Sequence, residues 1–233
     1  MRIGVLSDPH GCLVGLKAAL SWLDQSGVDL VVCAGDVAAF GPQPNECVAL
    51  LSERGIPTVQ GNSDRDLLWS AHIPPVPPAA DARTAQIAVI EDWCREQLTP
   101  ASREWLAALP PDWIPAPGVL VVHGAPGDPT AIVTADSMPI FPSGVTTVAA
   151  GHLHTPFILR TKRGLWVNAG SVGRPCDGDP RAAIAILERQ PTGWDAFIHR
   201  IPFDLEAAAQ AIREAKMPYA ERLIETQVQA RWW

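Results

Sequence analysis

Arg2-Ile3-Gly4-Val5-Leu6-Ser7 runs straight into Asp8-Pro9-His10, a short apolar run that stops on a carboxylate and an imidazole. The same arrangement recurs four times. Residues 30–34 lead into Gly35-Asp36 and residues 57–60 into Gly61-Asn62. Residues 118–122 lead into His123-Gly124, and residues 145–150 into Gly151-His152-Leu153-His154. In open α/β sheets ligands bind outside the carboxyl ends of the strands. If each run is a strand, its terminal polar residue faces one shared crevice. Asp8, His10, Asp36, Asn62, His123, His152 and His154 would then meet there. Two carboxylates, one carboxamide and four imidazoles form a mixed N and O donor set, which suits zinc, iron or manganese. The residues point to a hydrolase working with a pair of metal ions.

Between these runs the chain alternates between two periodicities. Leu13, Leu16, Leu20 and Leu23 recur at helical spacing, as do Cys47, Val48, Leu50 and Leu51. Pro44 suits a first helical turn, and Gly27 and Gly55 suit helix ends. The first sixty residues therefore read as a βαβαβ unit with parallel strands. Residues 66–117 read as a helical insertion. It holds an extended proline segment at 74–78, a helix over 82–97, and a helix over 100–109 with Thr99 as its N-cap. Short β segments follow at 157–161, 166–168, 182–187 and 194–201, and these are expected to build a second, antiparallel or mixed sheet. Asp204 is the expected N-cap of an amphipathic helix over 205–216, within a C-terminal helical segment at 204–233. The chain reads as a single domain over 1–233.

Composition is that of a globular protein, with 47% hydrophobic and 18% charged residues. The net charge of −7 argues against stable nucleic-acid binding, which relies on clustered Lys and Arg. It does not oppose a small phosphate ester, because bound cations supply local positive charge. The five cysteines are odd in number, and no pair forms a C-x-x-C, so they read as free thiols of a reducing compartment, the cytoplasm. No apolar stretch suggests a signal peptide or a membrane span. His72 and His199 read as structural or solvated, and the nine tryptophans as core or helix-packing residues.

Taken together and in order, Asp8-x-His10, Gly35-Asp36, Gly61-Asn62-Ser63-Asp64, His123-Gly124 and Gly151-His152-x-His154 resemble the calcineurin-like metallophosphoesterases. Residues 35–47, and Asn168-Ala169-Gly170-Ser171-Val172-Gly173-Arg174-Pro175 with residues 177–181, are similar to its small prokaryotic, phosphodiesterase-like branch. The resemblance implies an α/β fold, a four-layer αββα sandwich of two mixed β-sheets flanked by helices. It also implies two divalent or trivalent metal ions per chain, of manganese, iron, zinc or nickel. One would lie on Asp8, His10, Asp36 and His154, the other on Asp36, Asn62, His123 and His152, with Asp36 bridging. The implied reaction is hydrolysis of a small phosphodiester or phosphomonoester by a metal-bridging hydroxide. Asn62, Arg65 and Arg174 are the candidate substrate contacts.

The chain departs from the family pattern at Ser63, where many members carry a histidine that serves the leaving group. Asp64 is the candidate to protonate the leaving group or to orient a water, alongside Asp36 and Asn62 as catalytic residues, and esters with good leaving groups are favoured. Two other functions compete. A protein serine/threonine phosphatase is disfavoured by Ala39, Phe40, Gln60 and Ser63, which break that group's motifs. A non-catalytic binding scaffold is disfavoured because every expected metal ligand is present.

Overall fold

The computed structural model describes residues 1–68 and 81–232. The proline segment at 74–78 and His72 lie outside the described residues. Two mixed sheets pack face to face. The first has the order β2-β1-β8-β9, formed by β1 (Arg2–Leu6), β2 (Leu30–Cys33), β8 (Ala182–Gln190) and β9 (Gly193–Ile201). The second has the order β3-β4-β5-β7-β6. Its strands are β3 (Asp112–Ala116), β4 (Val119–Val122), β5 (Thr147–Ala150), β6 (Phe157–Arg160) and β7 (Leu165–Asn168). Parallel pairing joins β1 to β2, β4 to β5 and β5 to β7, so these strands point their carboxyl ends the same way within each sheet.

Ile3, Val5, Val32 and Val59 from one side meet Val119, Val121, Ala149 and Val167 from the other, which makes a dry layer between the sheets. On the outer face of the first sheet lie α1 (Leu13–Gln25), α2 (Pro44–Glu53), α6 (Leu205–Glu214) and α7 (Ala220–Val228). Leu16, Leu20, Leu51, Ile212 and Leu223 bury that interface, together with Ile184 of β8. Helices α3 (Asn62–Leu68), α4 (Ala82–Gln97) and α5 (Pro100–Ala107) join the same cluster through Leu67, Ile90, Cys94 and Leu106. Trp166, Leu120 and Val148 form the outer face of the second sheet, and Phe141 and Val133 of the 125–142 loop cover them. No helix among the described residues enters that layer.

Local chemistry explains most boundaries. Thr99 caps α5 by accepting from the Ser102 amide, and Asp204 caps α6 by accepting from the Ala207 amide. Three expectations are corrected. The strand over 57–60 reduces to a parallel bridge between Cys33 and Thr58, because the chain turns at once into α3. The end of the helical insertion is strand β3, whose register shifts between Trp113 and Ala116. Pro115 sits in that irregularity, on an edge strand where a missing N–H is tolerated. Finally, β8 and β9 do not join the second sheet. Arg2 to Val5 of β1 pair antiparallel with Glu188 to Ala185 of β8, so the late hairpin completes the first sheet. The first six residues of β8 are all buried, and a run buried on both faces carries no alternation that would say which sheet it enters.

Candidate metal centre

Six of the seven expected residues lie just past a strand. Asp8 and His10 follow β1, Asp36 follows β2, His123 follows β4, and His152 and His154 follow β5. Asn62 is the first residue of α3. Five of these seven have positive φ: Asp8 at 53°, His10 at 46°, Asp36 at 55°, His152 at 67° and His154 at 59°. Residues other than glycine rarely adopt this conformation, and it persists only where surrounding contacts over-determine it. Such contacts are present. The amides of Asp8, His10 and Gly11 donate to the carbonyls of Gly35, Asp36 and Val37 and lock the first two turns together. Ser171 Oγ donates to the Asp8 carbonyl at 2.7 Å. The His152 amide donates to Asp8 Oδ2 at 3.0 Å.

The side chains converge in two groups, Asp8 with His10 and His154, and Asp36 with His123 and His152. Within each group one ligand atom per residue lies within 4.8 Å of the others. Three imidazoles are oriented alike. His10 Nδ1 faces the Ala39 carbonyl at 3.0 Å, His123 Nδ1 that of Ala34 at 2.7 Å, and His154 Nδ1 that of Arg174 at 2.6 Å. A carbonyl can only accept, so each Nδ1 carries hydrogen and Nε2 is the atom each ring turns inward, the one that would ligate a metal ion. His10 Nε2 and His154 Nε2 then face each other at 3.0 Å. His154 Nε2 also lies 3.1 Å from Asp8 Oδ1, a buried oxygen with no hydrogen bond. Asp36 Oδ2 is 3.3 Å from His123 Nε2 and 3.6 Å from His10 Nε2. Carboxylate oxygens and inward-turned Nε2 atoms crowded around shared points, with Asp8 Oδ1 left without a hydrogen bond, make a donor set that fits metal ions.

Charge behaves accordingly. Burial pulls His123 and His154 down, but Asp36 and Asp8 respectively hold them up at about 9 and about 10. Burial dominates at His10, which falls to about 3. Against burial, His154 keeps Asp8 below the ordinary carboxylate range, and His123 does the same for Asp36. Each group thus attracts one positive charge.

The residues around Asn62 take unexpected places. Ser63 is buried, its Oγ donating to Asp36 Oδ2 at 2.8 Å and its amide to Asp36 Oδ1 at 2.9 Å. Asp64 is fully buried. Its Oδ1 accepts from the amides of Val37 at 2.8 Å and Ala38 at 3.1 Å, and its Oδ2 from Gly61 at 3.2 Å. Burial and the Asp36 charge push its carboxyl up to about 7. With no exposed surface and both oxygens taken by backbone amides, it is placed as a clamp on the turn that carries Asp36. Asn62 Oδ1 stands 3.0 Å from His123 Nε2 and remains half-buried at the second group.

Arg65 pairs with the neighbouring Asp66 at 3.1 Å. Arg174 is only 8% exposed, donating to the Phe40 carbonyl and Thr226 Oγ1 and so tying the 36–41 turn to α7. Arg174 also lines a small recess together with His154, whereas the ion pair of Arg65 is with its own neighbour. One neighbour went unread in the sequence: the Trp232 indole packs on the His154 imidazole, with centroids 4.4 Å apart. A tryptophan after the last helix carries no positional signal.

Gly61 is required by close approach. A Cβ there would sit 2.0 Å from Asp36 Oδ1 and 2.4 Å from the Asp36 amide nitrogen. Gly61→Ala should displace Asp36, lowering stability by about 1–3 kcal/mol as overpacking does. Turnover should fall about 10–100-fold, as when a ligand loses its supporting shell. Thermal melts and steady-state rates check both, and wild-type rates would show that this approach does not matter.

Comparison with known proteins gives the family. The family model for the calcineurin-like phosphoesterase superfamily domain matches residues 1–190. An uncharacterized protein of Methanocaldococcus jannaschii is 26% identical over 93% of each chain. A metallophosphoesterase from Sphaerobacter thermophilus shares 29% identity over 99% of each chain, with a TM-score of 0.79. A hypothetical protein from Pyrococcus horikoshii has the same fold, with a TM-score of 0.80 over 98% of each chain at 18% identity. With two strand-end clusters of metal-binding side chains inside the matched region, the chain belongs to the calcineurin-like phosphoesterase superfamily and is a metal-dependent phosphoric ester hydrolase.

Proposed function

We propose that the protein hydrolyses a small phosphodiester or phosphomonoester at a dinuclear site. Asp8, His10, Asp36 and His154 hold one metal, and Asp36, Asn62, His123 and His152 hold the other. The observation that carries this is Asp36 Oδ2, which lies between His10 Nε2 and His123 Nε2 and so adjoins both groups. Such a pair of ions, when bound, neutralises phosphoryl charge and makes water nucleophilic at neutral pH. The chain's own residues do the positioning. Backbone carbonyls hold three imidazoles with Nε2 inward, Ser63 fixes both oxygens of Asp36, and Asn62 adds a neutral donor and acceptor at the second group.

No proton donor stands in Ser63's place, because its hydroxyl is turned to Asp36. A positioned general acid contributes about 10²–10⁴-fold, so esters whose leaving group departs as an anion are the favoured substrates. Mixed imidazole and carboxylate donors fit manganese, iron, zinc or nickel. All five cysteines are free, which suits a reducing cytoplasm, and no helix among the described residues is long and apolar enough to cross a membrane.

The test is to strip the protein with a chelator, restore single metals, and assay p-nitrophenyl diesters, alkyl esters and phosphoserine peptides. Activity should return as about two ions bind per chain, with aryl diesters ahead of phosphoserine peptides. Full turnover at one ion per chain, or none with any metal, would overturn the proposal.

A further inference from the structure

Beside the two groups lies a cleft of about 300 Å³ lined by Arg83, Ile132, His152, Leu153 and Trp232. A smaller recess of about 90 Å³ shares Arg83 and Trp232 and reaches His154. Trp232 is fixed by packing on the His154 imidazole, yet it remains 46% exposed. Ile132 is 68% exposed, and neither side chain belongs to any of the three hydrophobic clusters. Arg83 is exposed, its backbone amide turned to the nearby Asp81 carboxylate, whose charge its guanidinium also meets. A packed indole, an exposed aliphatic side chain and an exposed guanidinium thus converge on the same space as His152.

We propose that Trp232 and Ile132 form a subsite for a planar aromatic substituent of the phosphate ester, with the Arg83 guanidinium at its rim. This rests on the hydrolase reading above and narrows its substrate class. The cleft adjoins His152, so a phosphate at the second group places its ester arm alongside the indole. A methyl or short alkyl arm would leave the apolar surface wet. A ring stacks on it, and guanidinium groups also stack on aromatic faces. Base–aromatic stacking of this kind changes affinity by about 5- to 150-fold. The ring can be a nucleobase or a simple aryl group, since both present the same flat face.

The distinguishing measurement is calorimetric binding to manganese-reconstituted protein, using probes that cannot be hydrolysed. These are methylphosphonate, phenylphosphonate and the phosphonate analogue of adenosine 5′-monophosphate. An aromatic probe should bind about 5- to 150-fold tighter than methylphosphonate. That ratio should fall to about one in Trp232→Ala and be largely kept in Trp232→Phe. A gain for the nucleotide analogue alone identifies a nucleobase, and a gain for both probes identifies any aryl group. Equal affinities in wild type, or a ratio that survives Trp232→Ala while all three probes weaken together, would overturn the subsite and leave Trp232 as a support for His154. Absence of binding by every probe, with no ester hydrolysed, would instead bring down the hydrolase reading itself.

Discussion

Asp36→Asn is expected to lower kcat by more than about 100-fold, beyond the 10–100-fold usual when only a supporting residue of a metal ligand is lost. The amide is nearly isosteric with the carboxylate, so Oδ1 can still accept from the Ser63 amide and folding is preserved. What changes is charge at the one oxygen that adjoins both groups, Asp36 Oδ2, with His123 on one side and His10 on the other. Replacing that atom by an NH2 group turns a donor's hydrogens toward cations and toward the inward-facing imidazoles. Metal content should fall below one ion per chain while circular dichroism and melting stay near wild type. Ser63→Ala removes only the bond that orients Asp36 and should lose about 10–100-fold. If the two variants lost equally little, with both ions retained, Asp36 would not be the shared ligand.

The contrast between these two residues shows where the sequence was readable. Asp8, His10, Asp36, His123, His152 and His154 were legible because a strand is a short apolar run, and the residue following it must emerge at the sheet's edge. The helix caps at Thr99 and Asp204 were legible for a similarly local reason, each being a side chain that serves the amide three residues on. Long-range partnerships were not. Nothing local says that Ser63 turns back to Asp36, that Trp232 folds onto His154 78 residues earlier, or that β8 returns to pair with β1. The left-handed backbone at five site residues has no sequence signature either, since it is imposed by hydrogen bonds between turns.

Asp64→Ala is expected to be among the most destabilising single changes near the site. The motif Gly61-Asn62-Ser63-Asp64 makes Asp64 a candidate to orient a water or protonate the leaving group. In the fold, α3 begins at Asn62 and carries Asp64 inward, where its oxygens accept from Val37, Ala38 and Gly61. Truncation would leave three buried amides without acceptors. Each unsatisfied group costs about 1–3 kcal/mol, so a loss of about 3 kcal/mol or more is expected. For a chain of this length that corresponds to a fall in melting temperature of roughly 6–12 °C. Two of those amides belong to the turn just after Asp36, so activity should fall as well, and for every ester alike. Asp64→Asn separates clamp from acid, since it keeps an accepting oxygen for part of the network but cannot deliver a carboxylic proton. A clamp predicts that Asp64→Asn is intermediate in stability and leaves unchanged the slope of log kcat/KM against leaving-group pKa. A steeper slope in Asp64→Asn, with melting temperature at the wild-type value, would restore Asp64 to the chemistry.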